Sequence, residues 1–231
     1  MNIAYKSKKE QYEDLLKRTN LSDKHVLCAY MYGSRVYGNY KKDSDYDYIV
    51  VISRDYSLDK ATPKSFDTEA GMQFSDNLIN VNLYFIDEYR KRITDHEPSA
   101  LECVFLPEEF ILKSCPIPEQ DYFDDVLDLG KLRHAFSAKS SNSWVKAKKK
   151  LTVPDSYNDL VGKKSLWHSL RLLDFGTQIA NYKRIIDYAS CNYFYDEVMY
   201  CKEWVEMFEK YKKTYNSMCT EFKKVAPKNL E

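Results

Sequence analysis

Two aspartates one residue apart, Asp45 and Asp47, stand at the head of an apolar run, Tyr48 to Ile52. On a β-strand, side chains two positions apart leave the same face, so the two carboxylates can share divalent cations. In two-metal sites the ions sit about 3.5–4 Å apart. Mg²⁺ suits such a pair, with Mn²⁺ the alternative, because it prefers hard oxygen ligands and bridges to phosphates. Upstream, Gly33-Ser34 follows another apolar run. A glycine there lets backbone approach a phosphate closely, and amides and the Ser34 hydroxyl can donate to it. Arg35 has two readings: it contacts a triphosphate, or it pairs with Asp43 or Asp45 to hold the turn. Far downstream, Lys164, His168 and Arg171 are spaced i, i+4, i+7 and so share one helix face, leaving Leu166, Leu170, Leu172 and Leu173 for the core. The chemistry these residue types suggest is the handling of phosphoryl groups.

The elements that must position these groups follow from periodicity. Ser7 to Arg18 reads as a charged helix opened by the capping box Ser7–Glu10. His25 to Met31 contains VLCAYM, which fits a buried strand, and Tyr46 to Ser53 a second. Residues 54–76 are polar, hold Pro63 and Gly71, and predict a loop with a short excursion strand. Leu78 to Phe85 alternates, with Ile79, Val81, Leu83 and Phe85 on one face and Asn80, Asn82 and Tyr84 on the other. Two short helices and a small strand-like segment, EEFILKS, come next. Pro116 and Pro118 then mark the expected boundary between domains 1–115 and 116–231. Helical patterning dominates from about Tyr122 to Lys224, with room for more than one helix between Leu160 and Tyr188. The fold class expected is α/β (α+β), a mixed sheet with helices followed by a helical domain.

Composition narrows the classes further. The 231 residues carry 35 Lys+Arg against 35 Asp+Glu, are 44% hydrophobic and 30% charged, and so read as an ordinary globular chain. No apolar run reaches the roughly 18 residues of a membrane helix, and the charged N-terminal segment lacks a signal core, so a cytoplasmic protein is expected. The six cysteines form no C-x-x-C pair and His25, His96 and His134 show no ligand spacing, which argues against zinc and for reduced thiols. No G-x-S-x-G elbow is present. Neutrality hides an asymmetry: residues 131–171 hold ten basic side chains and two acids, Asp155 and Asp159, a surplus of eight. Such a block suits a polyanion, RNA or nucleoside triphosphate, with Lys148 to Lys150 placed for a polyanionic acceptor; a solvated helix face is the plainer reading.

The segment YGSRVYGNYKKDSDYDYIVVI (32–52) closely resembles the signature of the DNA polymerase β-like nucleotidyltransferase superfamily, G-S-x-x-x-G followed by S-D-x-D. Its Gly-Ser-Arg start and Tyr46 between the aspartates resemble the RNA-repair-associated (RNA-ligase-associated) nucleotidyltransferases of bacteria and bacteriophages. YFIDEY (84–89), HEPSALECVFLPEE (96–109) and KKSLWHSLRLLDFG (163–176) resemble further elements of that group.

The resemblance implies Mg²⁺-dependent transfer of an NMP from an NTP to an acceptor hydroxyl, with RNA (tRNA or a repair substrate) as acceptor and a cytoplasmic setting, the host's if phage-encoded. Asp45 and Asp47 would ligate the metals. Gly33, Ser34, Arg35 and Ser44 would contact the nucleotide, and Lys164, His168 and Arg171 would face its phosphates across a cleft. The family adds a third carboxylate on a later strand, and matching Tyr84 to the family's tyrosine places Asn80 there, with Asn82 next on that face. An asparagine offers a neutral oxygen but accepts no proton. Three outcomes stay open: weakened catalysis, substitution by an acid such as Asp76, or a silent nucleotide- or RNA-binding module. An acceptor that is a protein hydroxyl or a small molecule is a further alternative.

Overall fold

A computed structural model of the chain describes residues 7–55, 72–115 and 119–228. The chain divides into two compact units, residues 1–94 with 99–125, and residues 95–98 with 126–231.

The first unit is built on a five-stranded sheet. Helix α1 (Lys8–Thr19) opens as its capping box requires, with the Glu10 amide donating to Ser7 Oγ at 3.1 Å. Strand β1 (Val26–Tyr32) leads through Gly33 into the single-turn helix α2 (Ser34–Tyr37), and β2 (Tyr46–Ile52) follows. Then come β3 (Met72–Ser75), β4 (Ile79–Phe85), helices α3 (Ile86–Thr94) and α4 (Pro98–Val104), β5 (Ile111–Lys113) and α5 (Glu119–Val126). The strand order is β3-β4-β2-β1-β5, antiparallel except for the parallel pair β2–β4. The central strand β2 is apolar on both faces and buried from Tyr48 to Ile52, as a strand covered on two sides must be. The excursion strand expected between residues 54 and 76 is β3; residues 56–71, which carry Pro63, lie outside the described residues.

In β4, Ile79, Val81 and Leu83 are buried, leaving Asn80 and Asn82 on the opposite face as alternation demands. Its start is set by Asp76, whose Oδ1 accepts from the Leu78 and Ile79 amides at 2.7 and 2.8 Å. Asp76 Oδ2 accepts from Arg18 Nη1 at 2.8 Å, tying the β3–β4 turn to α1. Gln11 Nε2 donates to the buried Tyr48 hydroxyl at 2.7 Å and seats α1 on the sheet. Phe123 of α5 packs edge-on to Phe105 in the same unit.

Among the described residues the second unit holds four α-helices: α6 (Leu129–Thr152), α7 (Asp159–Tyr182), α8 (Asn192–Tyr200) and α9 (Trp204–Val225). The segment with room for several helices is one 24-residue helix, α7, followed by a turn. Gln178 organises that turn, its Oε1 accepting from the Ile186 and Asp187 amides at 2.9 and 3.0 Å. Leu166, Leu170, Leu172 and Leu173 are all buried. Gly162 and Gly176 do not break α7; they let partners approach. A Cβ on Gly176 would lie 2.6 Å from Cζ of the buried Phe222 in α9. Among the described residues no helix is long and apolar enough to cross a membrane, and all six cysteines are free.

Gly176→Ala sets two effects against each other. Helix propensity favours alanine by about 1 kcal/mol, whereas overpacking a filled core costs about 1–3 kcal/mol. Because the Phe222 ring has neighbours on its far side, overpacking wins, and we expect a net loss of about 1–2 kcal/mol in chemical denaturation. A variant as stable as the parent would show that α9 shifts freely.

Candidate active site

Parallel pairing of β2 with β4 sets Asp47 beside Asn80, and antiparallel pairing of β3 with β4 sets Ser75 beside Asn80. The Asn80 amide nitrogen donates to Asp45 Oδ2 and, at 3.1 Å, to Asp47 Oδ1. Its Oδ1 accepts from Ser75 Oγ at 2.6 Å. One amide thus touches both carboxylates, so the two acids converge on a single point. Asp45 is exposed and Asp47 half-buried.

Gly33 makes this convergence sterically feasible. Its φ of +81° is left-handed backbone that favours glycine, and a Cβ there would stand 2.3 Å from Asp47 Oδ2. Backbone and carboxylate share space that no other residue leaves free. Ser34 opens α2 directly after it. Tyr32, paired across the sheet with Asp47, accepts from Asn82 Nδ2 at 2.5 Å. Burial first, and the Asp47 charge second, push the Tyr32 hydroxyl well above its ordinary range, so it stays a neutral phenol.

Arg35 holds the turn, and it does so through carbonyls. Nη2 donates to Ser44 O at 2.6 Å and Nε to Asp45 O at 3.2 Å, while the guanidinium lies 3.6 Å from the Tyr46 ring centroid and 4.9 Å from that of Tyr40. Ser44 Oγ accepts from the Lys41 amide at 2.9 Å. The loop that delivers Asp45 is therefore fastened from both sides.

Asp76 is occupied elsewhere. Burial works to raise its carboxyl, but the Ile79 and Leu78 amides and Arg18 outweigh it and hold Asp76 below the ordinary carboxylate range. Among the described residues no group of three His, Cys, Asp or Glu converges as a metal site. The donor set still fits a divalent cation, because two carboxylates already meet at the Asn80 amide. Asn80 would have to turn its oxygen inward to become a ligand. Ser75 Oγ, which can donate or accept, remains a partner after that turn.

In the helical unit the three residues of the expected face part company. Lys164 is exposed, whereas Arg171 is 2% exposed. His168 Nδ1 lies 2.8 Å from Arg171 Nη2, so these two are brought together. Ser75 is the residue the sequence gives no reason to notice: its pairing with Asn80 is visible only once β3 and its register are known.

Residues 12–117 match the nucleotidyltransferase domain family, a span that runs from α1 past β5. That segment is a nucleotidyltransferase domain of the polymerase β-like superfamily, and the class it defines is a transferase of nucleotidyl groups. Among solved structures, the chain is similar to spectinomycin adenyltransferase AAD(9) from Enterococcus faecialis, solved with ATP and spectinomycin: 12% identity, 94% of this chain and 98% of that chain covered, TM-score 0.41. It is also similar to a nucleotidyltransferase-like protein from Exiguobacterium sibiricum: 8% identity, 94% and 74% covered, TM-score 0.30. No curated protein sequence matches.

Asn80→Asp removes two donated hydrogen bonds and sets a third carboxylate beside two others. With EDTA at neutral pH we expect a stability loss of about 1–2 kcal/mol, at the low end because Asp45 is exposed. Millimolar Mg²⁺ should recover it, and the loss should vanish as pH falls below about 3.9, where the added acid protonates. Thermal melts with and without Mg²⁺ check this; an identical offset in both would mean the carboxylates do not share a cation.

Proposed function

We propose that this protein transfers an NMP from an NTP to an acceptor hydroxyl in an Mg²⁺-dependent reaction, with RNA as the acceptor. The observation that carries the reading is the meeting of Asp45 and Asp47 at one point, against a glycine that only a close approach explains. Asp45 and Asp47 hold the cation, and Mn²⁺ can replace Mg²⁺ there. The bound cation supplies charge neutralisation for the phosphates and for the attacking oxygen. The two carboxylates match the charge of one divalent ion, so a second would draw its remaining ligands from the nucleotide itself.

Gly33 and Ser34 take the triphosphate, Ser44 fixes the loop beside it, and Arg35 keeps Asp45 in place while its stacked face lies near the nucleotide. Lys164 and Arg171 supply positive charge for the phosphates, the neutral His168 beside Arg171 supplies a hydrogen-bond donor, and the basic block 131–171 suits an RNA acceptor of the repair type. The setting is the cytoplasm, the host's for a phage protein.

A second reading rests on Asn80. An amide occupies the place beside Asp47 where a carboxylate would accept the acceptor's proton. The domain would then bind a nucleotide or RNA with weak turnover or none.

Incubation with each labelled NTP, Mg²⁺ or Mn²⁺, and total RNA or protein tests the first reading, by what becomes labelled. Asp45→Ala and Asp47→Ala should each abolish labelling, with the melting temperature unchanged or slightly raised as a repulsion is removed. Full activity in either variant ends the metal-pair reading. Asn80→Asp restores an anionic ligand and proton acceptor, and a base typically contributes about 10²–10⁴-fold, so transfer should speed up visibly. No transfer from either form, with NTP still bound, selects the binding module.

A further inference from the structure

In the second unit α6 and α9 meet along a row of half-buried aromatic rings. The Trp144 ring centroid lies 4.4 Å from that of Tyr215, 5.9 Å from that of Phe208 and 6.2 Å from that of Trp204. Further along, the Phe136 and Phe222 centroids are 6.5 Å apart, so α9 runs antiparallel to α6. The start of α9 therefore lies beside the later turns of α6.

Helix packing explains the rings but not their rim. Val145 and Val205, each next in sequence to a tryptophan of the row, are 62% and 71% exposed, and Tyr200, four residues before Trp204, is 85% exposed. Among the described residues neither the Trp144 nor the Trp204 indole nitrogen donates to a protein atom, whereas the buried Trp167 donates to Cys191 O at 2.9 Å. Single exposed apolar side chains are ordinary, but a contiguous group around open donors marks an interaction surface.

The charges on the rim say what covers it. Residues 146–150 of α6 hold four lysines and no acid, and residues 203–209 at the start of α9 hold three glutamates and no base. Lys148, Lys149, Glu206 and Glu209 are exposed, and among the described residues none of them forms an ion pair. Lys210, the next base on α9, is paired with Glu197 at 3.0 Å, and Lys212 Nζ lies 4.9 Å from the Phe208 ring centroid. A polyanion would be repelled at the glutamate edge, and a polycation at the lysine edge. An apolar strip with unpaired lysines on one helix and unpaired glutamates on the other is complementary to itself.

We propose that two copies of the chain pair through this face, about a two-fold axis running along the aromatic row. Such an axis lays α6 of one copy on α9 of its partner, so the lysines of each face the glutamates of the other. An axis across the row would set lysine against lysine. Valines and indoles close the dry centre and the charges form the rim, the usual division of a specific interface. The pairing does not depend on what the first unit transfers.

The test is sedimentation equilibrium of the full chain at tens of micromolar, where we expect a dimer. Lys148→Glu with Lys149→Glu sets acid against acid, and Glu206→Lys with Glu209→Lys sets base against base. Each pair of changes should weaken self-association about tenfold or more. Mixing the two variants restores opposite charges at both edges, so they should form a heterodimer about as tight as the parent dimer. Val205→Glu places a charge in the apolar centre at an exposed position, without disturbing the core, and should weaken pairing likewise. A monomeric parent overturns the proposal, as does a dimer that Val205→Glu or both charge reversals leave intact. Weakening by each reversal with no recovery on mixing overturns it too, because a face that pairs with itself is rescued by the compensating change. Reversals that stay dimeric yet lose an RNA oligonucleotide would give the face to RNA instead.

Discussion

Two carboxylates at the entry to one strand repel, and the structure of the first unit is arranged around keeping them together. Asn80 does so by donating to both from one nitrogen, while Ser75 fixes the other end of the amide. This requires Asn80 to lie directly beside Asp47, hence the parallel register of β2 and β4. That register is in turn held by the Asp76 turn, the Arg18 ion pair and the apolar alternation of β4. A slip of one residue would bury Asn80 and expose Val81. The polar geometry and the hydrophobic core therefore specify the same alignment.

The glycine and the arginine near the pair solve different problems. Gly33 yields space, since any side chain there would occupy the position of Asp47 Oδ2. Arg35 instead spends its donors on the carbonyls of Ser44 and Asp45, and its flat face on Tyr46 and Tyr40. A guanidinium bonded to the carboxylates themselves would neutralise them and compete with a cation. Placed on the carbonyls, it shapes the loop and leaves the acids to other partners.

Much of this was legible in the sequence, and the exceptions share a cause. The capping box of α1, the strands around GSRVYG and SDYD, and the buried face of β4 all depend on neighbours within one turn or one strand, where periodicity speaks directly. The place of Asn80 needed the family resemblance, because two segments distant in sequence must align. Ser75 and the role of Asp76 were illegible for the same reason. In α7 the spacing of Lys164, His168 and Arg171 predicts a common face, yet Lys164 is exposed, Arg171 is buried and only His168 and Arg171 meet. Burial along a helix depends on where its partners end. Periodicity is silent on Gly162 and Gly176, whose use is to admit Leu151 and Phe222.

The two units carry complementary electrostatics, and the neutral total is a sum of unlike parts. An anionic pair alone repels a polyphosphate, so a nucleotide reaches it only with a cation or with positive charge supplied elsewhere. The helical unit holds the basic block 131–171, part of it in a form that cannot be titrated away near neutrality. Arg171 is permanently cationic and stacked between aromatic rings, and His168 beside it is held neutral as a donor. A protonated His168 would set a second cation directly against Arg171. A neutral one contributes a directed hydrogen bond and leaves the charge to Arg171.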